Sequence, residues 1–210
     1  MTSTSRELWP LIHAERAALA ADLADLDEDA WATPSLCAGL TVREVLAHLT
    51  AGGSLSGPRW LAGVIRCRFD FDRQVRMRLD EQLGASGADT LARFRRTVTS
   101  TTSPPLPRLA MLGETVVHGE DVRRPLGLRR AHPIGMLTRV AEYYRGSDQV
   151  VLAKGRVHDL RLTATDGPFA AGSGAAVSGP TIALVMAMTG RGAFCADLTG
   201  EGVATLRARC

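Results

Sequence analysis

Gly113-Glu114-Thr115-Val116-Val117-His118-Gly119-Glu120-Asp121-Val122-Arg123-Arg124 reads as helix and sets a carboxylate and an imidazole four residues apart. At about 100° per residue Glu114 and His118 share a face. Asp121 falls on the same face, seven residues beyond Glu114 and three beyond His118, with Val116, Val117 and Val122 around the stripe. Such a stripe is costly to bury without a partner. A divalent cation is one partner, because side chains on successive helical turns reach a single ion. An ordinary solvated Glu/His pair at this spacing is the plainer alternative.

A third ligand has few places to come from, since the chain holds only five histidines. His48 stands out among them. It follows Gly39-Leu40-Thr41-Val42-Arg43-Glu44, where Thr41 and Glu44 form a capping box and Leu40 and Val45 suit the hydrophobic staple around it. The helix start is therefore fixed, and counting from it puts His48 on the flank of the apolar arc made by Val42, Val45, Leu46 and Leu49, beside Gly52.

Three stretches together resemble the actinobacterial maleylpyruvate isomerase family, the mycothiol-dependent relatives of the DinB-like metalloenzymes. They are Pro34-Ser35-Leu36-Cys37-Ala38-Gly39-Leu40-Thr41-Val42-Arg43-Glu44-Val45-Leu46-Ala47-His48, the run from Glu114 to Arg124, and Leu198-Thr199-Gly200-Glu201-Gly202-Val203. The resemblance implies an α+β chain: an N-terminal DinB-like four-helix bundle and a small C-terminal α/β domain that is sterol-carrier-like. It also implies a zinc-type divalent metal at His48, Glu114 and His118, and mycothiol as the thiol cofactor. The implied activity is a mycothiol-dependent isomerase or S-transferase acting on a small electrophilic metabolite. The run around His118 looks closer to a metal-binding branch of the family than to the isomerase itself, so the isomerase's own substrate is not carried over.

Around this set, Asp121 is a candidate to orient a ligand imidazole or bound water, or else to pair with Arg124 along the helix. Arg123 and Arg124 either hold a substrate carboxylate or complement the helix C-terminus. Cys37, in the loop before the His48 helix, is either a thiol near the metal or a small buried packing residue. Two other readings use the same ligand types: a two-histidine, one-carboxylate iron oxygenase, which normally has a β-rich fold, and a non-catalytic metal-binding sensor or partner-binding protein.

Composition narrows the classes. Net charge is only +3 and Lys154 is the sole lysine, so the arginines, interspersed with acids and apolar residues, do not indicate a nucleic-acid surface. No run spans a bilayer and the N-terminus has no signal-peptide core, so the expected location is the cytoplasm. The expected state is a monomer or homodimer. Four cysteines, Cys37, Cys67, Cys195 and Cys210, lack any motif spacing and read as reduced thiols.

Periodicity predicts helices over 5–27, from Thr41, over 89–98, 109–126 and 134–144, with 60–83 ambiguous between two helical patterns. From Val150 the pattern shifts to short alternating runs with glycines, predicting strands at 150–153 and 160–165, a helix at 181–189 and a closing segment at 202–209. The expected division is a metal-binding bundle over 1–146 and a small α/β domain over 147–210, with a protease-sensitive break at about 145–150.

Overall fold

A computed structural model of the chain describes residues 7–210. The expected helix start at Ser5 lies outside them. Two compact units divide between Arg129 and Arg130.

In the first unit, helix α1 (Leu8–Asp22) stops earlier than expected because Asp27 is taken as the N-cap of a short α2 (Glu28–Trp31), accepting from Ala30 N at 2.8 Å. Helix α3 (Val42–Ser54) begins at the predicted capping box. The ambiguous stretch resolves into α4 (Gly57–Arg66) and α5 (Phe71–Asp80), separated by Arg68 and Phe69 at φ 55° and 65°. Helices α6 (Gly87–Arg95) and α7 (Arg108–Arg123) complete the unit.

The bundle consists of α1, α3, α6 and α7: α1 packs on α6 and α7, and α3 packs on the same two. Its core joins Leu19, Leu23, Trp31, Val45, Leu46 and Phe94. Two glycines permit the close approaches. The Trp31 ring sits where a Cβ on Gly87 would be, and a Cβ on Gly53 would come within 2.9 Å of Thr97 Cβ. Helix α7 is the central element, buried at nearly every position from Ala110 to Arg123, so each polar side chain on it must find a partner inside the unit.

The second unit opens with α8 (Ile134–Gly146), whose face of Met136, Leu137, Val140, Ala141 and Tyr144 packs on α9 (Thr181–Met188). The expected division at 146/147 places this helix with the bundle, whereas it lies in the second compact unit with its apolar face on α9. A three-stranded sheet of order β2-β1-β3 follows, formed by β1 (Leu160–Ala164), β2 (Ala170–Ala171) and β3 (Ala175–Gly179). β1 runs parallel to β3, with Leu160 opposite Ala175 and Ala164 opposite Gly179, and antiparallel to β2. As its alternation predicted, β1 buries Leu160, Leu162 and Ala164 and exposes the residues between.

The strand expected at 150–153 does not form. Ser147 Oγ accepts from Gln149 N, Ala153 N bonds Val151 O, and Asp148 Oδ1 accepts from Gly155 N, so local acceptors close the segment into turns. A 3-10 helix (Gly192–Asp197) and α10 (Val203–Ala208) end the chain. No helix among the described residues is long and apolar enough to cross a membrane.

Candidate metal centre

The capping box fixes where α3 starts. Thr41 N donates to Glu44 Oε2 at 2.9 Å, and Glu44 N donates to Thr41 Oγ1 at 3.3 Å. Burial would raise the Glu44 carboxyl, but its bonds to Thr41 and the Arg76 guanidinium hold it below the usual carboxylate range. One turn past Glu44, this start aims His48 at α7.

There it meets the predicted stripe. His48 Nε2 lies 3.8 Å from Glu114 Oε2, and His118 Nε2 lies 3.4 Å from the same oxygen. The two imidazoles stand edge to face with centroids 4.9 Å apart. One donor atom from each of His48, Glu114 and His118 fits within 4.8 Å of the other two. Four ligands at zinc distances stand about 3.3–3.5 Å apart at the corners of a tetrahedron. The observed separations approach that spacing, and two imidazoles with one carboxylate are a zinc-type donor set.

Asp121 completes the arrangement from behind. It has no exposed surface, and its Oδ2 lies 2.9 Å from His118 Nδ1. With the proton held on Nδ1, Nε2 presents its lone pair toward Glu114 and His48. Burial would raise the Glu114 carboxyl, yet hydrogen bonds and charge from His118 and His48 hold it far below the ordinary range. Burial would lower His118, yet Asp121, Cys37 and Glu114 hold it well above its ordinary value. The electrostatics thus favour a positive charge among these groups.

The loop before α3 supplies a further donor. Leu36 N donates to the Asp121 carbonyl at 3.0 Å, and Ser35 Oγ donates to Leu40 O at 2.8 Å, which folds the loop against α7. Cys37 is thereby brought into hydrogen-bond contact with His118, and its sulfur shares a cluster within 4.8 Å with His118 and Asp121. The thiol stands on the Asp121 side of the imidazole.

Arg123 is not brought to the site. It is 1 % exposed and points across the bundle, its Nε donating to Asp22 Oδ2 at 2.7 Å and its Nη1 to Glu120 Oε1 at 3.3 Å. The expected contact with substrate is thus replaced by an ion pair between the buried Arg123 of α7 and the exposed Asp22 of α1. Nine residues from Glu114, at about 100° each, put Arg123 half a turn away, which is the signal that separates it from the stripe. Arg124 lies exposed at the C-cap of α7.

Residues 12–104 match the family described as Mycothiol maleylpyruvate isomerase N-terminal domain. The match falls within the helical unit and takes in most of it. The Mycothiol maleylpyruvate isomerase N-terminal domain match takes in His48 and Cys37, while Glu114 and His118 fall beyond its last residue. The fold of nearly the whole chain matches the crystal structure of the mycothiol-dependent maleylpyruvate isomerase, with a TM-score of 0.58, 13 % identity, and coverage of 95 % of this chain and 93 % of that one. A histidine-to-alanine variant of that isomerase matches over the same shares with a TM-score of 0.58 and 12 % identity. No curated protein sequence matches the chain.

Proposed function

We propose that the chain is a divalent-metal, mycothiol-dependent enzyme, an isomerase or S-transferase acting on a small electrophilic metabolite, with His48, Glu114 and His118 as the metal ligands. The observation that carries this reading is the convergence of two imidazole nitrogens and one carboxylate from two facing helices, with Asp121 behind His118. The family domain and a solved fold neighbour described as a mycothiol-dependent maleylpyruvate isomerase supply the thiol.

Three protein ligands leave a coordination position open, and an ion held there would favour the thiolate form of a thiol cofactor at neutral pH. This chain's residues prepare that position. Asp121 keeps the His118 proton on Nδ1. A thiol held at that position would supply a nucleophile for reversible addition to an activated double bond in an isomerase, or for bonding to an electrophilic carbon in a transferase. Arg124, exposed at the end of α7, is the candidate for contact with a substrate carboxylate.

Elemental analysis and a cobalt-substituted sample test the reading together. The purified chain should carry about one divalent ion, and His48→Ala and His118→Ala should each lose it. Mycothiol added to the cobalt protein should produce a sulfur-to-metal charge-transfer band. Metal retained by both variants would displace the ligand assignment. Metal binding without any spectral response to mycothiol would instead favour a non-catalytic metal-binding protein.

A further inference from the structure

Cys195 and Cys210, unrelated in the sequence, are side by side in the fold. Cys195 lies in the 3-10 helix that begins at Gly192. Residues three apart in such a helix eclipse one another, so Cys195 stands on the same edge as Gly192. Helix α10 packs against this helix and lays Cys210 along that edge: a Cβ at Gly192 would be 3.2 Å from the Cβ of Cys210. The two thiols are in hydrogen-bond contact. Cys210 Sγ also lies 3.4 Å from Ala187 O and 3.3 Å from Leu206 O. Access is unequal, since Cys195 is buried and Cys210 is exposed.

We propose that Cys210 and Cys195 form a thiol–disulfide exchange site for low-molecular-weight disulfides, with Cys210 as the attacking thiol and Cys195 as the resolving one. Cys210 gives up its proton and attacks one sulfur of the small disulfide. A protein mixed disulfide forms, and the displaced thiolate takes up a proton. Cys195, deprotonated in turn, attacks the Cys210 sulfur and expels the second small thiol. The protein loses two electrons and two protons, and the small disulfide is reduced to two thiols.

Burial and the neighbouring Cys195 push the Cys210 thiol up to about 11, against the opposing charges of Arg156 and Arg207. Little thiolate therefore exists at neutral pH. The exchange is slow there, and its rate rises close to tenfold per pH unit between about pH 7 and 9. The site uses none of the residues around His118 and stands whether or not that centre binds metal.

The test uses the full chain, reduced and then treated with cystamine under native conditions. Intact mass should fall by two hydrogen atoms with no cysteamine retained. Non-reducing peptide mapping should join Cys195 to Cys210 and leave Cys37 and Cys67 open to alkylation. Cys195→Ser should stop at one cysteamine on Cys210, whereas Cys210→Ser should carry none on Cys195. The proposal is overturned if wild-type protein retains cysteamine on Cys210, if both thiols stay alkylatable, or if the bridge involves Cys37 or Cys67.

Discussion

Asp121 decides which nitrogen of His118 faces the candidate ion. Its carboxylate is fully buried and bonded to Nδ1, so the geometry of Nε2 depends on a residue that is not itself among the three proposed ligands. Asp121→Asn keeps the volume but removes the charge that favours a proton on Nδ1. It should lower metal affinity by about 10–100-fold, measured by competition with a chromophoric chelator, while helix content remains unchanged. An affinity equal to wild type would leave Asp121 with a packing role only. The histidines and Glu114 were legible because helical spacing and a capping box fix their directions before any tertiary contact is known. The helical angle of Arg123 was legible too, but its partner was not, because Asp22 lies 101 residues away and only the assembled bundle brings the two together.

Helix α3 carries His48 into place through its first turn. Thr41→Ala removes the cap and should destabilise the bundle by about 0.5–2 kcal/mol at pH 7. Trp9, Trp31 and Trp60, the chain's three tryptophans, all lie in the first unit, so their fluorescence during urea unfolding follows that unit. The Glu44 carboxyl is lowered from 4.5 in the folded state, so its contribution is complete above that value and is lost as pH falls through the folded one. The gap between wild type and Thr41→Ala should therefore narrow in acid. A gap independent of pH would separate the hydroxyl cap from the carboxylate. The paired Thr and Glu announced this element, whereas the α4–α5 boundary was hidden. Leu61, Ile65, Phe69, Phe71 and Val75 are exposed, so apolar periodicity there did not track burial, and the turn uses non-glycine residues at positive φ.

Division of the chain into two units was legible as a change of periodicity, but its position was not. An amphipathic helix shows that it has a buried face without naming what covers it, and α8 packs on α9, far along the sequence. Limited trypsin digestion should cut first after Arg129 or Arg130 and separate the two units there. First cleavage after Arg145 instead would restore the boundary expected from sequence. The alternating strand at 160–164 was predicted correctly because one face of the sheet is buried. The segment at 150–153 failed because Ala153 N turns back onto Val151 O, while Ser147 and Asp148 accept from Gln149 N and Gly155 N and close turns on either side.

The bond from Leu36 N to the Asp121 carbonyl ties the loop before α3 to the same residue that orients His118. An opening of the loop that displaced Asp121 would also disturb the imidazole and weaken a ligand held through His118. Occupancy would then add RT ln(1 + [L]/Kd) to the free energy of that local opening. A loop that is merely tethered when empty becomes a latch whose strength is set by whatever the histidine holds.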